Sequence, residues 1–116
     1  MAGNPLRGEV TLRLGEREVV LKPTFDNMVK IEDRLGVGVG TLWGRLAERG
    51  IGAREFAVIL EIAGGLKRSE VAAIIEEYGM LDPIAPAIFD FLNNAISGGA
   101  KASAEKNAAA AGEAAT

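Results

Sequence analysis

Residues 9–22, EVTLRLGEREVVLK, alternate apolar and polar side chains. Val10, Leu12 and Leu14 fall on one face, with Glu9, Thr11 and Arg13 on the other, the period of a half-buried strand. Gly15-Glu16 suits a two-residue turn with glycine first. That turn pairs Leu14 with Arg17, Leu12 with Val19 and Val10 with Leu21. On the opposite face it sets Arg13 against Glu18 and Glu9 against Lys22, two opposite-charge pairs worth about 0.2–1 kcal/mol each. A three-residue loop would set Leu14 against Glu18 and Val10 against Lys22, so the two-residue register is better on both faces. A lone hairpin is marginal in water and needs an apolar surface to lie on.

The period changes to that of helices after Pro23. Thr24 is the expected N-cap of a first helix with Asp26 in its first turn, Phe25, Met28, Val29, Ile31 and Leu35 on its apolar side, and Gly36 as its stop. Thr41 is the expected cap of a second, short helix carrying Leu42, Trp43, Leu46 and Ala47 and ending at Gly50. A third runs from about Ala53 to Ala63. Its stripe of Phe56, Ile59, Leu60 and Ala63 is supplemented by Val58 and Ile62, so it is apolar on most sides and is expected at the centre. Gly64-Gly65 ends it. Ser69 is the expected cap of a fourth helix to Tyr78, with Val71, Ile74, Ile75 and Tyr78 inward. The last helix begins at Pro83, after Asp82, or at Pro86, and runs to about Ser97 with Ile84, Ile88, Phe91, Leu92, Ala95 and Ile96 at helical spacing.

The expected fold class is α+β: an N-terminal hairpin followed by four to five short helices in a small bundle. Residues 1–6 are read as a flexible N-terminus and 7–97 as a single domain. Residues 98–116 hold nine alanines and no larger aliphatic or aromatic side chain, and are read as a disordered tail.

Composition removes whole chemistries. The chain has no Cys and no His. It therefore has no disulfide, no thiolate nucleophile, no imidazole base and no Cys- or His-ligated metal site. Its net charge is −3, and no segment concentrates basic residues as a nucleic-acid footprint would. Met1–Val10 has no apolar core of a signal peptide, and no apolar stretch is long enough to span a bilayer. We expect no catalytic residue, no cofactor, no metal, no nucleic-acid partner, no membrane and no small-molecule substrate.

Several motifs invite sharper readings. Gly36-Val37-Gly38-Val39-Gly40-Thr41 looks like a phosphate loop, but it follows a helix and lacks the lysine, so a helix stop and interhelical loop is expected. Glu32 and Asp33 are adjacent and diverge by about 100° on a helix, so they read as a solvated face with Lys30 and Arg34. Glu61 lies in the apolar third helix and is expected to emerge on an exposed strip or to pair with Lys67 or Arg68. Residues 55–78 could form a helix–turn–helix, yet SEVAAIIEEYG offers acids and alanines where DNA contacts need Arg, Lys, Asn or Gln. The last helix carries the strongest signal. Phe91 joins the Ile84/Ile88/Leu92/Ile96 stripe, while Phe89 points about a quarter-turn aside. With Trp43 these residues exceed what the core clearly needs. Trp43, Ile84, Ile88, Phe89, Phe91, Leu92 and Ile96 are therefore the candidate protein-binding set, with most of them serving the core and the remainder exposed.

An ordered pattern runs through the chain: Arg7-Gly8-Glu9-Val10, the hairpin with Gly15, Leu21-x-x-Thr24, Ile31-Glu32, Leu35-Gly36, Leu42, Ile59-Leu60 and Glu70-Val71-Ala72. It resembles the tail-assembly-chaperone family of gene transfer agents and siphophages over about residues 7–97. The resemblance implies a non-enzymatic helper that binds the long helical tape-measure protein while a non-contractile tail is built. The tail tube protein is a further implied partner, a homo-oligomer is possible within that scheme, and the implied setting is the cytoplasm of the bacterial host or the tail particle. It brings no catalytic motif. A structural tail component and a small DNA-binding regulator are the alternatives.

Overall fold

The computed structural model describes residues 3–98. In order, these form a one-turn 3₁₀ helix (Pro5–Arg7), strands β1 (Val10–Leu14) and β2 (Arg17–Leu21), and helices α1 (Phe25–Leu35), α2 (Val39–Glu48), α3 (Ala53–Gly64), α4 (Arg68–Tyr78) and α5 (Ile84–Ser97). The α+β expectation of a hairpin followed by helices holds, with five helices.

The strands pair antiparallel in the two-residue register, Leu14 with Arg17 through Val10 with Leu21. Gly15 takes the left-handed φ of 64° that the first turn position requires, and Glu16 does not. Leu12, Leu14, Val19 and Leu21 are buried beneath the hairpin. On its outer face Arg13 and Glu18 form the expected ion pair at 3.0 Å. The expected Glu9–Lys22 ion pair does not form, and the Glu9 carboxylate instead accepts from the Asn4 N–H at 2.7 Å. The backbone N–H of Lys22 donates to the Ala63 carbonyl at 3.1 Å, tying the hairpin to the end of α3. No element was expected before residue 7. The 3₁₀ turn there is capped by the Asn4 side chain, and the Gly3 N–H donates to Thr11 Oγ1 at 2.8 Å, which fastens this segment to the hairpin.

Helix α3 occupies the centre, as its apolar circumference predicts. Phe56, Val58, Ile59, Leu60 and Ala63 are buried, and it packs against α1, α4 and β2. Its last turn crosses the hairpin closely. A Cβ added at Gly64 would lie 2.9 Å from Val19 Cγ1 and 3.4 Å from Leu21 Cδ2. The second packing unit is α5 against α2 and β1. Every buried residue in the described part of the chain is apolar.

Helix starts differ from expectation where the cap comes from elsewhere in the fold. The first helix starts as predicted, with Thr24 Oγ1 accepting from the Asn27 N–H at 3.1 Å. The second begins at Val39 rather than after Thr41, because the Glu32 carboxylate of α1 accepts from the Val39 N–H at 2.9 Å. Glu32 thus holds a helix start as well as standing at the surface. The fourth begins at Arg68 after Lys67, not after Ser69. Glu70 reaches back to accept from the Lys67 N–H at 3.0 Å, half of a capping box. The fifth begins at Ile84, directly after Pro83. Pro86 is then its third residue, where a first-turn N–H has no partner within the helix in any case. Two residues assigned to inward faces point outward: Phe25 is 78% exposed and Tyr78 is also exposed. The expected tail lies outside the described residues, apart from Gly98, which closes α5 in the left-handed conformation.

Candidate functional site: an apolar groove between α2 and α5

Helix α5 presents two faces, each following from its 3.6-residue repeat. Ile84, Ala87, Ile88, Phe91 and Leu92 form the inner face and are buried. Of the candidate binding set, Ile84, Ile88, Phe91 and Leu92 are therefore closed off in the core and present no surface to a partner in this conformation. They lie on the side of α5 that packs against α2 and β1, within the single apolar core.

Ala85, Pro86, Phe89 and Asp90, at successive offsets of one, four and five residues, form the outer face, and Asp82 adjoins it from the turn before the helix. Phe89 does point aside from the core stripe. It is half-buried and stacks on Trp43 of α2, with ring centroids 6.3 Å apart and planes 29° apart. Leu46, one turn beyond Trp43, and Leu81, before α5, complete an open groove of about 450 Å³ with Ala85, Pro86 and Phe89. Leu81 is 84% exposed. The charged residues lining the groove are Asp82 and Asp90. Ile96, seven residues beyond Phe89 and 45% exposed, continues the same side of the helix.

Trp43, Phe89 and Ile96 are thus the members of the candidate set that reach the surface. Sequence reasoning missed Leu81, Ala85, Pro86, Asp82 and Asp90 as parts of the groove. The signal was present as a second helical stripe at 85, 86, 89 and 90, masked by the stronger core stripe beside it.

A second concavity of about 310 Å³ lies between α3 and α4, floored by Ala53, Ala57, Val71 and Ala72 and edged by Arg54, Arg68 and Glu76. Arg54 donates to the Arg34 carbonyl at 3.3 Å, which draws its guanidinium toward α1. Glu61 is half-buried and forms no ion pair with Lys67 or Arg68, contrary to one of its expected outcomes. Its Oε2, Trp43 Nε1 and Ser97 Oγ lie covered without a hydrogen-bond partner among the described residues.

Arg17 of β2 and Glu70 of α4 form a hydrogen-bonded ion pair across 53 residues of sequence. The Lys67 backbone N–H, and then the Arg17 guanidinium, hold the Glu70 carboxyl below the usual glutamate range. Among the described residues, no group of acidic side chains is arranged to hold a metal ion, and no helix is long and apolar enough to cross a membrane.

The hairpin, all five helices and the groove fall within residues 7–98, the span that matches a family model for tail proteins of phages and gene transfer agents. The protein is a tail-related protein of that kind. It belongs to the family described as phage tail tube protein, GTA-gp10. No curated protein and no solved structure matches the chain.

Proposed function

We propose that this protein is a non-enzymatic tail-assembly chaperone that covers apolar helical segments of the tape-measure protein until tail-tube subunits displace it. The observation that carries this reading is the open apolar groove built from Leu46, Leu81, Ala85, Pro86 and Phe89 on two packed helices. A groove of this kind accepts the apolar face of an amphipathic helix. A naked tape measure, as a long helical protein, would expose many such faces. Weak contacts made by many copies together would hold it in solution and still allow displacement.

Co-expression tests the reading. The wild-type chain should raise the soluble fraction of the tape-measure protein and co-purify with it. Leu81→Asp should reduce that fraction several-fold with an unchanged far-ultraviolet circular dichroism spectrum, because Leu81 stands outside the core. Unchanged tape-measure solubility with wild type, and no co-purification, would reject the chaperone.

The family description, which names a tail tube protein, favours a second reading: a subunit that stays in the tail. Mass spectrometry of purified particles separates the two. Stoichiometric presence supports the structural subunit, and absence from finished particles supports the chaperone.

A further inference from the structure

We infer that the α2–α5 groove selects an amphipathic helix whose apolar stripe is flanked by lysine or arginine. This inference rests on the chaperone reading and adds the recognition rule for its partner. The groove's floor is apolar, and its charged lining residues, Asp82 and Asp90, are both acidic and both exposed. Asp82 stands in the turn before α5 and Asp90 in the second turn of the helix, and both line the same groove. The groove runs beside the start of α5 and lies open to a helix laid along it. The docked helix's apolar residues at i, i+3 or i+4, and i+7 would meet Leu81, Ala85, Pro86 and Phe89, while basic residues beside that stripe would meet the two carboxylates. A partner flanked by Asp or Glu would bring like charges against Asp82 and Asp90 and bind less well.

The test uses the full chain and Trp43, its sole tryptophan, which stacks on the groove residue Phe89 and reports occupancy through its emission. Two synthetic helical peptides share one leucine stripe. One carries lysines beside it and the other carries glutamates at the same positions. The lysine peptide should bind roughly tenfold tighter at low salt, the sum of two modest charge pairs. The preference should shrink as salt is raised. Asp82→Asn/Asp90→Asn should bring the ratio to about one. Asp33→Asn/Glu77→Gln, which removes the same charge outside the groove, should leave the ratio near its wild-type value, so a loss of preference there would assign it to net charge and overturn the inference.

Equal affinities in the wild type overturn the inference, as does no change in tryptophan emission with either peptide. Self-association that Leu81→Asp abolishes also overturns it, because the groove would then be filled by a second copy. Tape-measure co-purification with no peptide preference removes the charge rule and leaves the chaperone reading standing. Peptide preference without tape-measure co-purification does the reverse.

Discussion

Gly64 shows how little room separates the central helix from the hairpin. Its missing side chain lets the last turn of α3 rest on Val19 and Leu21. Alanine is the better helix former by about 1 kcal/mol. Here its methyl group would press on Val19, a stiff β-branched side chain, and such overpacking costs about 1–3 kcal/mol. Gly64→Ala should therefore lower stability by roughly 1 kcal/mol, read as a lower urea midpoint with an unchanged slope. The sequence marked Gly64 only as a helix stop, because a close approach between elements leaves no trace in local spacing. Phe25 and Tyr78 make the same point in reverse. Each sits at helical spacing with inward residues, yet each is the terminal residue of its helix and is exposed.

Elements were legible where their determinants are local. The hairpin register followed from alternation and one glycine, and Thr24 and Gly36 bounded α1 as expected. Starts were misplaced where the cap arrives from another element or reaches backward. Glu32 acts on α2 from α1, seven residues ahead of the N–H that it holds. Glu32→Ala should cost about 0.5–2 kcal/mol, the usual range for losing a helix cap. Amide hydrogen exchange at residues 39–42 should accelerate in that variant while exchange in α3 changes little. Uniform acceleration across the bundle would mean that Glu32 supports the whole fold rather than one helix start.

At the scale of the whole molecule, the Arg17–Glu70 pair joins the hairpin to the start of α4. Glu70 has a lower pKa in the folded chain than in the unfolded one. Its contribution is therefore fully present above the ordinary glutamate value and is lost as the pH falls through the folded value. Stability should decline with acidification in that window, and Glu70→Gln should flatten this part of the profile. Thermal unfolding from pH 6 to pH 3, compared between the two proteins, checks the sign. The fold class was visible in the sequence because periodicity and punctuation agreed along the chain. The groove was visible only in part. Trp43 and Phe89 stood out as surplus aromatics, but their stacking joins helices that are separated in sequence by α3 and α4, and no local pattern encodes that meeting.

The core built from apolar residues carries an evolutionary consequence. Among the described residues there is no buried ion pair or polar network to preserve, so interior positions are constrained by volume and by facing direction. Exchanges among leucine, isoleucine, methionine and valine that keep total volume cost little, so descendants can lose most identities and keep the architecture. Kinship in such a lineage survives as a rhythm of glycines and oily positions.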